Sequence, residues 1–193
     1  MTKKAKSTRK LISNSFGRSA VTSYNSVYMK SKFKFTITRP DPEMLELVSK
    51  TAHKILAIWA IDCAERVMPY FEQKYPQDNR PQQALNTLET WVETGVFKMA
   101  TIRKASLDSH SAAREVGEDS PARSAARAAG QAVATAHVPR HAYGSAIYAQ
   151  QAIYRALPPS SDPAAAIAKE RNWQYQHLLN LSNPALAIPP ISK

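Results

Sequence analysis

The chain has 193 residues, 44% hydrophobic and 21% charged, the proportions of one ordinary folded domain with or without a tail. No apolar run reaches the roughly 18 residues that mark a transmembrane helix, and the single cysteine, Cys63, excludes an internal disulfide framework and a cysteine-rich metal site. The formal charge of +11 suggests nucleic acid until its position is read: residues 1–39 hold ten Lys/Arg and no acid, leaving sixteen against fifteen Asp/Glu in residues 40–193.

The basic leader comprises Lys3, Lys4, Lys6, Arg9, Lys10, Arg18, Lys30, Lys32, Lys34 and Arg39. It admits three readings: a Ser/Thr-rich organellar transit segment, an arm touching polyanions non-specifically, or a mis-assigned start over residues 1–28 with Met29 opening the chain. No secretory signal is apparent, so the expected compartment is the cytoplasm. The expected organisation is a basic arm over residues 1–38, a helical domain over 39–181 and a Pro-rich tail over 182–193. Within the arm, "KFKFTIT" is the only strand candidate, with Phe33, Phe35 and Ile37 alternating with polar residues, and it has no partner strand in the sequence.

From Arg39 onward the pattern is helical, and the expected fold class is all-α: one bundle of about six to seven helices. Asp41 caps a first helix with Pro42 at its first position. "HKILAIWAIDCAERV" is apolar nearly all round, the mark of a central buried helix. Pro69 and Pro76 punctuate a short helix, Asp78 caps the next near Pro81, and Gly95 ends it. A helix over about residues 97–116 stops at Gly117. Ser120 and Pro121 start another, and Pro139 breaks the pattern after His137. A helix over residues 139–157 leads to "PPSSDP", where Asp162 and Pro163 open the last one, running to about Asn180.

Two of these helices carry alanine faces. Ala122, Ala125, Ala129, Ala132, Val133 and Ala136 share one side of the first, and Ala142, Ala146, Ala149, Ala152, Ile153 and Ala156 share one side of the second. Small facing residues let two helix axes approach to the short end of the usual ~8–10 Å, so this pair is expected at the centre of the bundle.

The candidate chemistry is sparse. There is no Gly-rich phosphate loop and no dinucleotide fingerprint, no metal or cofactor is expected, and Cys63 in its apolar helix reads as an inert thiol. His137 and His141 have the spacing of two ligands on one helix face, but Pro139 between them spoils that geometry. His110, at the edge of a Met99, Ile102, Ala113 stripe, reads as structural. Asp62 stands among Ile55, Ile58 and Trp59, where a carboxylate must find a partner. Arg66 at i+4 and Arg80 are the candidates. Alternatively Asp62 lines a polar pocket whose candidate residues are Glu65, Asp78, Arg80, His110, His137 and His141.

The blocks "IDCAERVMPYFEQKYPQDNRPQQAL", "SAAREVG" and "AARAAGQAVATAHVPRHAYGSAIYAQQAI" resemble the immunity proteins of bacterial toxin–immunity loci, the immunity-protein-five-like class. The resemblance rests on Cys63, Ala64 and Glu65; Phe71 and Glu72; Pro76, Asp78, Arg80, Pro81 and Ala84; and the Ala-rich block ending at His137 and His141. It spans residues 36–179. It implies an all-helical, non-enzymatic protein that neutralises a cognate protein toxin by binding it, and it carries over no catalytic residue. The rival readings are an enzyme or small-ligand binder built on the polar pocket, and a nucleic-acid-associated protein using residues 1–39. No membrane partner is expected, and the sequence allows either a monomer or a homodimer.

Overall fold

The computed structural model describes Phe35 and residues 41–183. Eight helical segments follow in order: α1 (Pro42–Lys50), α2 (His53–Glu65), the single turn α3 (Pro69–Glu72), α4 (Arg80–Thr94), α5 (Met99–Glu115), α6 (Pro121–Ala134), α7 (His141–Ala156) and α8 (Pro163–Ser182). There is no strand among the described residues, and none of these helices is long and apolar enough to cross a membrane. The strand candidate falls outside the described residues except for Phe35, whose ring lies 5.5 Å from that of Tyr154.

The helix ends are set by local chemistry. Asp41, Ser120 and Asp162 each place a side-chain oxygen on the first free backbone N–H groups of α1, α6 and α8, which otherwise lack acceptors. Gly95 and Gly117 take φ of 69° and 78°, left-handed values at which a β-carbon would be strained, and they close α4 and follow α5. One expected cap moves: Asn79 is the N-cap of α4, and Asp78 accepts the Arg80 N–H from one residue earlier at 3.2 Å. Helices α5 and α7 each begin two residues later than expected, at Met99 and His141.

Helix α6 is the hub, packing against α2, α3, α4, α5 and α7, with α7 its most extensive neighbour. Nine of its fourteen residues are buried, and they comprise six Ala with Ser124, Gly130 and Val133. The alanine faces of α6 and α7 therefore meet as expected, but burial runs beyond one stripe, because a helix enclosed by five neighbours has room only for small side chains. Serines pin these close approaches. Ser109 donates to the Ala126 carbonyl (2.8 Å), Ser106 to Gly130 (2.9 Å) and Ser145 to Ala60 (3.0 Å), so each buried hydroxyl has a partner. The larger apolar groups of α2, α3, α4 and the turn after α2, including Trp59, Val67, Phe71, Leu85 and Leu88, are fully buried. Helix α8 closes α2 and α7 from outside, and α1 rests on α8.

Candidate functional site

The polar residues singled out from the sequence fall into three groupings. Asp62 and Glu65 sit in the last turns of α2, where burial, Glu89 and Asp62 raise the Glu65 carboxyl above its ordinary pKa. Asp78 and Arg80 form a second grouping. The third is histidine: the charge of His141 bears on His110, and that of His137 on His141. No hydrogen bond or ion pair among the described residues joins Asp62 to Arg80, His137 or His141.

Asp62 does not pair with Arg66 or Arg80 as expected. Its carboxylate accepts from His177 Nε2 of α8 at 2.5 Å. Arg66 instead crosses to Glu170, about two helical turns earlier on α8, with Nη2–Oε2 at 2.9 Å. Between these two contacts lies Trp173. Its ring stacks on His177 (centroids 4.8 Å apart, planes 17° apart) and carries the Arg66 guanidinium 3.7 Å above its centroid. Residues 62 and 66 share one face of α2, and 170, 173 and 177 share one face of α8, so two helical stripes meet as an antiparallel zipper.

The zipper continues inward through fully buried amides. Gln174 donates both amide hydrogens, to Glu170 Oε1 (3.0 Å) and to the Ala146 carbonyl (3.1 Å). Its Oε1 accepts from Gln150 (2.8 Å), whose own Oε1 accepts from Arg171 (3.2 Å). The indole of Trp59 donates to the Gln174 carbonyl (2.9 Å). Every member has its partners, which is the condition for burying such a network. Cys63 lies fully buried beside it; burial first, then Glu170 and Asp62, push the thiol pKa well up, which suits an unreactive side chain. Sequence reading missed Glu170, Gln174 and His177. The available signal was their i, i+4, i+7 spacing, which puts three polar groups on the inner face of a helix.

Arg80 forks between Asp78 (Nε–Oδ1 2.8 Å, Nη2–Oδ2 2.6 Å) and Glu115 (Nη1–Oε1 2.9 Å, Nη2–Oε2 2.6 Å), tying the start of α4 to the end of α5. These hydrogen bonds lower the pKa of both carboxyls and raise that of the guanidinium. Arg80 also forms one end of an open groove of about 350 Å³ between α4 and α5, where Lys104 and Asp108 face each other in an ion pair. The charges of this groove are thus already matched by each other.

His110 lies against α6 at Gly130, where a β-carbon would come within 2.7 Å of the imidazole. Its Nδ1 is buried with no hydrogen-bond partner. Burial, with the cations Arg127 and Arg114, pushes its pKa down to about 4, so the ring is neutral near pH 7. His141 Nδ1 donates to Gln131 Oε1 (2.8 Å), and Gln131 lies over Gly144 of α7. His137 is exposed in the turn after α6. Among the described residues no three His, Cys, Asp or Glu side chains are placed to share a metal ion.

The outer surface holds a further feature. Of the six large hydrophobic side chains exposed among the described residues, four lie together in sequence: Val96, Phe97 and Met99 at the α4–α5 turn, and Leu107 on α5. Isolated exposed hydrophobics are ordinary; here Val96, Phe97 and Met99 stand exposed within four consecutive residues.

A family model described as Imm-5 like putative immunity protein matches residues 46–181. No curated protein and no solved structure matches the chain.

Proposed function

Since the chain belongs to the Imm-5 like immunity protein family, we propose that it is a non-enzymatic cytoplasmic interaction protein that binds a cognate protein toxin and neutralises it by occlusion. The observation that carries this reading is the extent of the match, which takes in α2 to α7 entirely and most of α1 and α8. The site geometry supports it. The buried polar network between α2, α7 and α8 has its hydrogen-bond partners within the domain, whereas large apolar side chains stand exposed on the α4–α5 turn and α5. An occluding protein needs a surface held in its bound shape before the encounter, because ordering on binding costs affinity. The hub packing of α6 and the Arg80 fork supply that rigidity under α5.

The alternative, an enzyme or small-ligand binder using Asp62, Arg80, His137 and His141, has no shared hydrogen-bond network to stand on. Asp62, Arg80 and His141 each bond a different partner, and His137 is exposed. The test is co-expression in a bacterial host with the toxin-like protein encoded beside the chain's own gene. Restored growth, with a stable complex by size-exclusion chromatography, is the expected result. Unrelieved toxicity at equal expression would overturn the proposal.

A further inference from the structure

The outward face of α5 is built differently from the rest of the helix. Ile102, Ser109, Ala112 and Ala113 turn inward and are buried. On the flank turned to solvent Met99, Arg103, Leu107 and Arg114 follow one another at intervals of four, four and seven residues, which aligns them in one stripe, with His110 of the same stripe turned against Gly130 of α6. The fifteen steps from Met99 to Arg114, at a rise of 1.5 Å each, make this stripe about 22 Å long. Met99 and Leu107 are 45% and 52% exposed, Arg103 and Arg114 are exposed, and His110 is half-buried between them. Val96 and Phe97 extend the apolar part around the preceding turn.

Charge on this face is one-sided. The two acids of α5 are both committed: Asp108 to Lys104 of the same helix, and Glu115 to Arg80 of α4. Arg103 and Arg114 form no ion pair among the described residues, nor does Arg127 of α6, whose charge reaches His110. Cations alternate with apolar side chains along this flank, where Met99, Arg103, Leu107 and Arg114 are exposed among the described residues while His110 is seated against α6.

We propose that this stripe of α5, with Val96 and Phe97, is the docking surface for the partner protein, and that it receives an acidic segment bearing at least one large apolar side chain. This rests on the reading that the chain acts by binding a protein. The carboxylates of such a segment pair with Arg103 and Arg114, and its apolar side chain packs among Phe97, Met99 and Leu107. Opposite charge across the contact also speeds the encounter and discriminates against basic partners. A carboxylate seated beside Arg114 and Arg127 favours the protonated form of His110, so binding is accompanied by proton uptake as the pH falls.

The probe is a random 16-residue peptide library displayed on phage and selected on the immobilised full-length chain. Selected peptides are expected to be net acidic with an aromatic or aliphatic anchor. They should bind the Arg103→Glu/Arg114→Glu variant at least tenfold more weakly, lose affinity for Leu107→Ser, and bind the remote Lys169→Glu control within twofold. Far-UV circular dichroism confirms that the variants fold, as expected for side chains without partners in the domain. Peptides with no acidic bias, or equal binding to the charge-reversed variant, would overturn the inference. So would a concentration-dependent dimer, by light scattering, that disappears in the same variant, since the stripe would then bind a second copy. The co-expression assay separates the two proposals. If the parent fails to restore growth, the toxin-neutralising role is lost. If the parent and the charge-reversed variant restore it equally, the placement on α5 is lost.

Discussion

Replacing Gly130 by Ala tests how tightly α5 is seated on α6. In an exposed helix interior the change stabilises by about 0.5–1 kcal/mol, because glycine has more backbone freedom to lose. Here the new methyl would stand 2.7 Å from both Cε1 and Nδ1 of His110 and 3.1 Å from Nε2. Ordinary contact needs a further ~0.7–1 Å. The ring has little freedom to give it, since the Ser106–Gly130 hydrogen bond at 2.9 Å holds the two helices together one turn away. Overpacking of this kind costs about 1–3 kcal/mol, so Gly130→Ala should destabilise by about 1 kcal/mol net. In a His110→Ala background the clash is gone, and the same substitution should stabilise by about 0.5–1 kcal/mol. The coupling between the two sites is therefore expected at about 1.5–2 kcal/mol, from urea unfolding followed by circular dichroism at unchanged m. A coupling below about 0.5 kcal/mol, or a stabilised Gly130→Ala single variant, would refute the seating of His110 on Gly130.

The zipper between α2 and α8 predicts an asymmetry. Glu170 is 3% exposed while Arg66 is 40% exposed, so Arg66→Ala strands a buried carboxylate and should cost about 3 kcal/mol, whereas Glu170→Gln keeps an acceptor for Gln174, leaves an arginine that reaches water and should cost less. Urea denaturation of the two variants at pH 7 checks this, and equal costs would contradict it. The pH dependence of the parent should also carry a His110 component. Its folded pKa of about 4 lies below the ordinary 6.5, so the unfolded chain takes up the proton first, and stability is full above 6.5 and falls as the pH drops towards 4. With allowance for the ring's partial exposure the loss is about 1–2 kcal/mol, and a His110→Gln variant that keeps the same slope over this window would contradict it. Cys63 should resist a thiol reagent in the native state and react only on unfolding; rapid labelling of folded protein would show that the α2 core is open.

The N-caps Asp41, Ser120 and Asp162, the left-handed Gly95 and Gly117, and the proline breaks were legible in the sequence because each acts within four residues of itself. The buried alanine pair was legible because a 3.6-residue period shows which side chains share a face. The interior polar contacts were not. An Asp62–Arg66 pair at i, i+4 satisfies every local rule, but an exposed pair of that kind stabilises by only about 0.2–0.5 kcal/mol. That is too little to compete with the partners that packing supplies. Folding α8 against α2 brings His177 to Asp62 across 115 positions of chain, and Glu170 to Arg66 across 104. The sequence by itself thus determined the helices, their ends and their small-residue faces. Only the tertiary structure decided which charges meet, and which cations and apolar side chains of α5 stand exposed among the described residues. Pairing over such distances is set by which helices pack together, and burial makes a chosen partner costly to lose.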